Sequence, residues 1–356
     1  MRVLSVVGAR PQFVKLAPIA HALDGRADHV IVHTGQHYDE LMSDVFFRDL
    51  GIPTPDRNLD VGSGSHGAQT GVMLEKLEAA FLELRPDWVL VYGDTNSTVA
   101  AALAAVKLHL PVAHLEAGLR SFNRRMPEEH NRVLTDHAAD LLLAPTEVAM
   151  RHLAHEGLAE RSVMVGDVMT DVLYSVRDRV LRDGLGAPEG LASGEYLVAT
   201  IHRPDNTDDP DRLRAIITAL AGLDAPVLLL AHPRLRSLAD SAGIDLSAGA
   251  VRAVEPFAYP QLVAAVQHSR GVITDSGGLQ KEAFLLRVPT TTIRPETEWV
   301  ETVELGWNML ANEADAIGAA VHRPAPAPTD ATPYGDGHAA VRVADTLLSA
   351  HEVSSA

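Results

Sequence analysis

Short apolar runs alternate with amphipathic stretches along the 356 residues of the chain. Most of the runs end in Gly, Asp or His, and this is the pattern of βα units around a parallel sheet. In the first half the runs predict strands at residues 3–7, 30–33, 88–92, 112–115, 141–144 and 163–165. The stretches between them predict helices that begin near Phe13, Ser97 and Glu128.

A second βα series follows a loose, Gly-containing segment at residues 179–194. It predicts strands at residues 196–201, 227–230, 251–253, 271–274 and 290–293, and helices from Asp211, Gln261 and Leu279. The chain is longer than one core usually serves. We therefore expect an α/β protein of two Rossmann-like domains, each a doubly wound parallel sheet, that face a central cleft. The first domain is placed at residues 1–178 and the second at 179–336, with a last helix at about 337–350 packing back on the first.

The composition narrows the classes of function. No apolar run approaches the roughly 18 residues that span a bilayer, so no membrane segment is expected. The first residues, MRVLSVVGAR, predict a buried strand and not a secretory signal, because their apolar part is short and runs into a turn. The lack of cysteine suits a reducing cytoplasm. A net charge of −17 argues against nucleic acid and anionic lipid as partners, so an anionic ligand would need local cations.

The turn after the first predicted strand is a candidate anion site. In open α/β sheets ligands bind beyond the carboxyl ends of the strands. Here the turn reads GARPQ, and Pro11 suits the first turn of a helix whose free N–H groups favour an anion. Arg10 and Lys15 would add the positive charge that a diphosphate requires. The alternative is a surface turn with two solvated cations.

Acidic residues follow the next two buried strands of the first half. Asp94 comes directly after the run WVLVY, where it is either catalytic or the cap of the next helix. Alternation along the following strand puts His114 and Glu116 on one face. A carboxylate at a buried strand end is uncommon unless it forms an ion pair or has a function. The ion-pair partner of Glu116 would be Arg120 or Arg132.

Two further acids, Glu128 and Glu129, occupy the first turn of the predicted helix that follows. Acids stabilise this end of a helix in any case, and Glu128 could pair with Arg132 one turn later. The group formed by Asp94, Glu116 and Glu128 is more telling than any one of them. Acid/base chemistry needs several titratable groups whose surroundings separate their pKa values.

In the second half, His202 and His232 each follow a predicted strand, as candidates for phosphate binding or proton transfer. The series TDSGGLQKE has paired glycines before a helix, where backbone N–H groups can approach a phosphate. In it Ser276, Gly277 and Gly278 would bind the phosphate, and Glu282 would hold a ribose diol. The alternative is a Gly-Gly turn that Ser caps.

A metal site is not predicted. His152 and His155 could share a helical face, but no HExxH or carboxylate-rich motif supplies further ligands.

Several motifs together resemble those of the non-hydrolysing UDP-N-acetylglucosamine 2-epimerases along nearly the whole chain. They are, in order, GARPQFVKLAP, TGQHYDELM, YGDTNST, HLEAGLRS, MPEEHNR, IHRPDN, DSGGLQKEA and ETEWVETVELGWN. The resemblance implies the glycosyltransferase-B fold, which agrees with the two predicted domains. It also implies an isomerase that acts in the cytoplasm as a homodimer.

The reaction implied by the resemblance is an elimination of UDP followed by its re-addition. A base removes the proton from C2 of the sugar, UDP leaves to give a 2-acetamidoglucal, and UDP adds back after protonation on the opposite face. No redox or metal cofactor is needed. The acid/base residues carried over by motif are Asp94, Glu116, Glu128 and His202. The UDP-binding residues carried over are Arg10, Lys15, His232, Ser276, Gly277, Gly278 and Glu282, with Phe257 and Leu262 bounding the segment that lines the uracil pocket.

The chain departs from some family motifs. Asp39 and Ala68 stand where many bacterial members have the Gln and Arg that bind a second, activating UDP-sugar. Trp299 replaces the Arg of a TER motif, and the TEW and SFNRRMPEE forms look like those of relatives that act on UDP-2,3-diacetamido-glucuronic acid. That sugar is a second candidate substrate. Three more functions stay open: a hydrolysing epimerase, a retaining glycosyltransferase and an inactive nucleotide-sugar binding module.

Overall fold

A computed structural model describes residues 1–36 and 53–355; the side chains of Arg10 and of residues 353–355 lie outside the described part. The chain forms two compact units. The first contains Met1–Val172 and Thr332–Ala356, and the second contains Leu173–Ala331. No helix among the described residues is long and apolar enough to cross a membrane.

The sheet of the first unit has parallel strands throughout, in the order β3-β2-β1-β4-β5-β6-β7. The strands are β1 (Arg2–Val7), β2 (Asp28–His33), β3 (Arg57–Asn58), β4 (Trp88–Tyr92), β5 (Val112–Leu115), β6 (Leu141–Ala144) and β7 (Ser162–Met164). The helices among them are α1 (Arg10–Leu23), α2 (His66–Leu84), α3 (Asn96–Lys107), α4 (Pro127–Ala138) and α5 (Glu147–His155), with a 3₁₀ turn at Ala159–Arg161. The next helix, α6 (Val168–Asp183), begins in the first unit and ends in the second.

Helices cover both faces of this sheet, because successive strand residues point to opposite faces. On β1, Leu4 and Val6 pack into one core with α2 and α3. Val3 and Val7 pack into a second core on the other face, with α1. The strand order reverses between β1 and β4, and such a switch point is where open α/β sheets bind ligands.

The second unit repeats this plan with parallel strands in the order β10-β9-β8-β11-β12-β13. The strands are β8 (Leu197–Thr200), β9 (Val227–Leu230), β10 (Val251–Val254), β11 (Gly271–Thr274), β12 (Thr290–Thr292) and β13 (Asn308–Leu310). The helices are α7 (Pro204–Thr207), α8 (Pro210–Ala221), α9 (Pro233–Ser241), α10 (Tyr259–Gln267), α11 (Gly277–Leu285), α12 (Val300–Glu304) and α13 (Ala316–Val321). The order reverses between β8 and β11.

The last helix, α14 (Ala339–Ser355), belongs to the first unit. It buries an apolar face in the same core as α1; the buried residues are Ala339, Ala340, Val343, Ala344 and Leu347. The Asp171 carboxylate caps its start by accepting the N–H groups of Ala339 at 3.0 Å and Ala340 at 2.7 Å. Burial outweighs these bonds and raises the pKa of Asp171.

One part of the sequence interpretation is wrong: residues 179–183 are not linker. They continue α6, which ends at Asp183, because Val176 and Val180 keep one face of the helix buried. The edge strands β3 and β13 were not predicted. They have two and three residues and form by pairing with a neighbouring strand.

Candidate active site

The turns after β1 and β4 are tied together at the switch point of the first unit. The Gln12 side chain accepts the N–H groups of Gly8 and Ala9 and donates to the Tyr92 carbonyl at 2.8 Å. A Cβ on Gly8 would lie 2.1 Å from Thr34 Oγ1, so the close approach of these turns requires glycine there. The edge of the sheet at which the candidate acids lie is therefore held in a fixed position.

Glu116 forms an ion pair with Lys15, and both side chains are largely buried. A Cβ on Gly93 would lie 3.2 Å from Glu116 Oε2 and 3.4 Å from Lys15 Nζ, so the pair lies against this glycine. Burial lowers the pKa of Lys15, but the charges of Glu116, Asp94 and Asp167 outweigh burial and raise it. Lys15 is therefore a stable cation beside Glu116.

The backbone of Glu116 is in the left-handed region, with a φ of +71°. This conformation is unfavourable for a residue other than glycine, and such strain clusters at functional sites. Neither Arg120 nor Arg132 is the partner of Glu116, so that alternative interpretation is wrong.

Asp94 forms an ion pair with Arg132, and its backbone carbonyl accepts from Asn131 Nδ2 at 2.9 Å. The helix α3 is capped by Thr95, whose hydroxyl accepts the Thr98 N–H at 3.3 Å. The alternative interpretation of Asp94 as the helix cap is therefore wrong. Asp94 follows β4 in the chain, and Arg132 and Asn131 on the polar face of α4 bind it. Both elements therefore hold this residue in position.

The two acids at the start of α4 have different surroundings. Glu129 is buried and accepts Ser121 N–H at 2.8 Å, Phe122 N–H at 2.8 Å and the Arg132 guanidinium at 3.0 Å. Burial raises the pKa of Glu129, but the hydrogen bonds from Ser121, Phe122 and Arg132 outweigh it and lower the pKa. Glu128 is partly exposed and has no hydrogen-bond or ion-pair partner in the described part of the chain. Its expected alternative pair with Arg132 is not formed.

A buried charged network lies behind these acids, and the sequence interpretation missed it. Asp136 has no exposed surface and accepts His114 Nδ1 at 2.6 Å, Arg120 at 2.7 Å and the Gly118 N–H at 3.0 Å. Arg120 also binds both carboxylate oxygens of Glu156 at 2.8 Å. The signal in the sequence is an acid on the buried face of a helix.

In the second unit, the switch point orients His202. Its Nδ1 lies 3.1 Å from Asp275 Oδ1, and its ring is about half exposed. The buried Asp275 also accepts the Arg203 N–H at 2.9 Å and Asn206 Nδ2 at 3.0 Å. Burial raises the pKa of Asp275, but the bonds from His202, Arg203 and Asn206 outweigh it and lower the pKa. The sequence interpretation assigned no role to Asp275, although it lies within the series TDSGGLQKE.

The start of α11 is a Gly-Gly turn capped by serine, which is the arrangement that the alternative interpretation expected. Ser276 is its N-cap, and its hydroxyl accepts the Leu279 N–H at 3.5 Å. A Cβ on Gly277 would lie 2.1 Å from Glu298 Oε1, and the Trp299 indole donates to the Gly277 carbonyl at 2.7 Å. Among the described residues, no atom outside the adjoining residues and the helix backbone lies within 4 Å of the corresponding point on Gly278. This helix start therefore leaves room on the Gly278 side.

A cavity of about 390 Å³ lies in the second unit. His202, His232, Phe257 and Leu262 all contribute to its lining, so the structure brings these candidates together. Glu282, on α11, accepts from the Tyr259 hydroxyl at 2.9 Å. Burial and the charge of Glu282 raise the pKa of Tyr259, which therefore remains a donor.

Two residues singled out by their motifs cannot be placed in the site. The Arg10 side chain and all of Asp39 lie outside the described residues. Ala68 lies in the first turn of α2.

Known proteins share this architecture. The sequence profile of the UDP-N-acetylglucosamine 2-epimerase family matches residues 21–348. The UDP-2,3-diacetamido-2,3-dideoxy-D-glucuronate 2-epimerase of Pseudomonas aeruginosa is 46% identical, covering 98% of this chain and 99% of that protein. The structure of the UDP-GlcNAc 2-epimerase from Methanocaldococcus jannaschii matches with a TM-score of 0.84 and 34% identity, over 98% of this chain and all of the other.

A crystal structure of the Methanocaldococcus jannaschii enzyme in complex with UDP-GlcNAc and UDP matches with a TM-score of 0.79 and 36% identity, over 98% of this chain and all of the other. The predicted class, two parallel-sheet α/β domains of the glycosyltransferase-B type, is confirmed. So is the prediction of an isomerase, since the named relatives are epimerases. The chain belongs to the UDP-N-acetylglucosamine 2-epimerase family.

Proposed function

We propose that the chain is a non-hydrolysing 2-epimerase that interconverts UDP-N-acetylglucosamine and UDP-N-acetylmannosamine. The observation that carries the proposal is the pair of carboxylates, Asp94 and Glu116, at neighbouring strand ends, each with its own cation and with Gly93 between them. Inversion at C2 requires proton transfer on both faces of one carbon, and hence more than one acid/base group.

The proposed reaction balances without a co-reactant. A carboxylate takes the C2 proton, the C1–O bond breaks, and the electron pair leaves with UDP, so a C1–C2 double bond forms. In the second step C2 is protonated on the opposite face and UDP adds back at C1. We assign Asp94, Glu116 and Glu128 to these proton transfers. Lys15 and Arg132 form ion pairs with two of the three, Glu116 and Asp94.

His202 is assigned to the leaving diphosphate. The Asp275 carboxylate fixes the ring through Nδ1 and so orients it, as an acid does for a catalytic imidazole. A hydrogen-bond donor at this position offsets the negative charge that develops on the leaving oxygen.

The remaining candidates are assigned to UDP. The N–H groups at Gly277 and Gly278 and the Ser276 hydroxyl would bind phosphate. Glu282 would hold the ribose, and the cavity with His232, Phe257 and Leu262 would take the uracil. Arg10 keeps its predicted role at the diphosphate. Lys15 was predicted to share that role, but its ion pair with Glu116 supports a role in holding that carboxylate in place.

A second substrate, UDP-2,3-diacetamido-2,3-dideoxy-D-glucuronate, is favoured by one observation. The Pseudomonas aeruginosa protein named for that sugar is 46% identical to this chain over nearly its full length. The two substrates share the acetamido group at C2 and differ at C3 and C6. The same acid/base residues would therefore serve either sugar.

The deciding experiment incubates the enzyme with each sugar in D2O and follows C2 by NMR. We expect the C2 epimer to appear with deuterium at C2. The variants Asp94→Asn and Glu116→Gln should lower turnover by about 100-fold or more while UDP still binds, as loss of a proton-transfer group does.

Different products would identify the competing functions. Free N-acetylmannosamine and UDP would indicate a hydrolysing epimerase. Transfer of the sugar to an acceptor without exchange at C2 would indicate a glycosyltransferase. Binding of UDP-sugar with neither epimer nor deuterium, for both sugars, would contradict the proposal and indicate a binding module.

We further propose that the enzyme is a cytoplasmic homodimer. The support is the motif resemblance and the cysteine-free composition. Sedimentation velocity of the purified chain measures the oligomeric state.

A further inference from the structure

Two hydrogen bonds to the neighbouring strand β5 hold the peptide groups of Gly93. The Gly93 N–H donates to the Leu115 carbonyl at 3.0 Å, and the Gly93 carbonyl lies 2.8 Å from His114 Nε2. That carbonyl is part of the peptide bond to Asp94. Because Gly93 also lies against Glu116, its placement sets the distance between the two proposed proton-transfer groups.

The hydrogen bonds of His114 fix the orientation of its ring. A carbonyl oxygen only accepts, so Nε2 carries a hydrogen and donates it to Gly93. Nδ1 lies 2.6 Å from Asp136 Oδ1, and Arg120 also binds this carboxylate. Burial would raise the pKa of Asp136, but the charges and hydrogen bonds of His114 and Arg120 outweigh it and lower the pKa. The ring of His114 therefore bridges the Gly93 carbonyl and the Asp136 carboxylate.

The network is wholly internal except at one end. His114 and Asp136 have no exposed surface, the Arg120 side chain is 1% exposed, and the Glu156 carboxylate reaches solvent. Apolar residues of the same volume often support a fold equally well, so a buried ion network is weak evidence for stability alone. Its inner end is the Gly93 carbonyl.

We propose that His114, held in place by Asp136, is a positioning residue that fixes the Gly93–Asp94 peptide and so the geometry of Asp94 relative to Glu116. This inference rests on the proposed 2-epimerase function. A misplacement of about 1 Å in such a group can cost about 100-fold in rate.

The kinetic test compares Asp136→Asn and His114→Gln with the control His29→Gln. His29 is a histidine of the same sheet whose ring bonds a hydroxyl, Ser5 Oγ, at 2.8 Å. We expect kcat to fall about 10- to 100-fold in the first two variants. KM should stay within about twofold, and deuterium exchange at C2 should slow in parallel. His29→Gln should keep the activity of the unchanged enzyme.

A second measurement does not depend on activity. ¹⁵N NMR of histidine-labelled enzyme should show a hydrogen on Nε2 of His114, because the Gly93 carbonyl only accepts. The signals are assigned in the unchanged enzyme by through-bond correlation to the His114 backbone. A bare Nε2 would overturn the inference even if the variants did not fold.

The kinetic results separate the positioning role from the proposed function. An inactive unchanged enzyme would contradict the proposed function. An active enzyme whose Asp136→Asn variant keeps the same kcat, or loses UDP affinity as strongly as kcat, would contradict the positioning role alone.

Discussion

The two adjacent acids at the start of α4, Glu128 and Glu129, differ in their contacts and therefore in their roles. Glu129 is engaged by the N–H groups of Ser121 and Phe122, so it fixes the loop before the helix. Glu128, one residue earlier, has no such partners among the described residues. Phe122 needs this anchor, because its φ of +58° is unfavourable for a residue with a side chain.

Glu129→Gln should therefore destabilise the chain by about 1–3 kcal/mol at neutral pH, since an amide cannot accept all of these bonds. The Glu129 pKa is lowered in the folded chain, so its contribution is present above the ordinary value of 4.5 and is lost as the pH falls through the folded value. Thermal melting of both proteins across this range measures it. A difference that stayed constant down to pH ~3 would contradict the assignment.

The partners of the catalytic candidates could not be predicted from the sequence, although the acids themselves could. Asp94 and Glu116 follow buried strands, and strand ends are local signals. Lys15 lies 101 residues before Glu116, and Arg132 lies 38 after Asp94. Only the strand order, which brings β1, β4 and β5 side by side, creates these ion pairs.

At the scale of elements, the strands whose own residues are all buried were predicted correctly from the sequence. The runs at β4, β5, β6, β9 and β11 are buried throughout and were located to the residue. The edge strands β3 and β13 were missed, because they depend on a neighbour for pairing. No helix was predicted at α6, and its end was assigned to the linker, although Val176 and Val180 keep one face of the helix buried.

The packing of the turn after β5 against α5 gives a prediction for Gly118. A Cβ there would lie 2.5 Å from the Ala149 carbonyl oxygen. Gly118→Ala should cost about 2–4 kcal/mol, the sum of backbone strain and overpacking. The matched control is Gly157→Ala. Gly157 has a similar φ of +77°, but no atom of the described residues other than its chain neighbours lies within 4 Å of an added Cβ, so the change should cost about 1 kcal/mol. Equal losses in chemical denaturation would show that the contact is unimportant.

At the scale of the whole molecule, the two units have separate cores. A ligand that binds one unit should therefore stabilise mainly that unit. We assign the base and phosphate sites of UDP to the second unit, and the proton-transfer acids to the first.

UDP alone, at a concentration 100 times its Kd, should stabilise the second unit against unfolding by about 2.7 kcal/mol. The melting temperature of that unit should rise accordingly. Hydrogen exchange should show protection at the start of α11 and around the cavity. Phe257→Ala should weaken UDP binding about 10-fold, because the ring lines the cavity. Met309→Ala, at an exposed residue of β13, is the control and should bind UDP as before. Protection confined to the first unit would contradict the assignment.

The position of α14 has a consequence for biosynthesis. During translation the ribosome releases the entire second unit, Leu173–Ala331, before α14 begins at Ala339. Until Leu347 has emerged, the apolar groove beside α1 stays open to water, while the second unit has every residue it needs to fold. The synthesis of the first unit thus begins first and ends last. Until it ends, the nascent chain exposes an apolar surface that chaperones would shield.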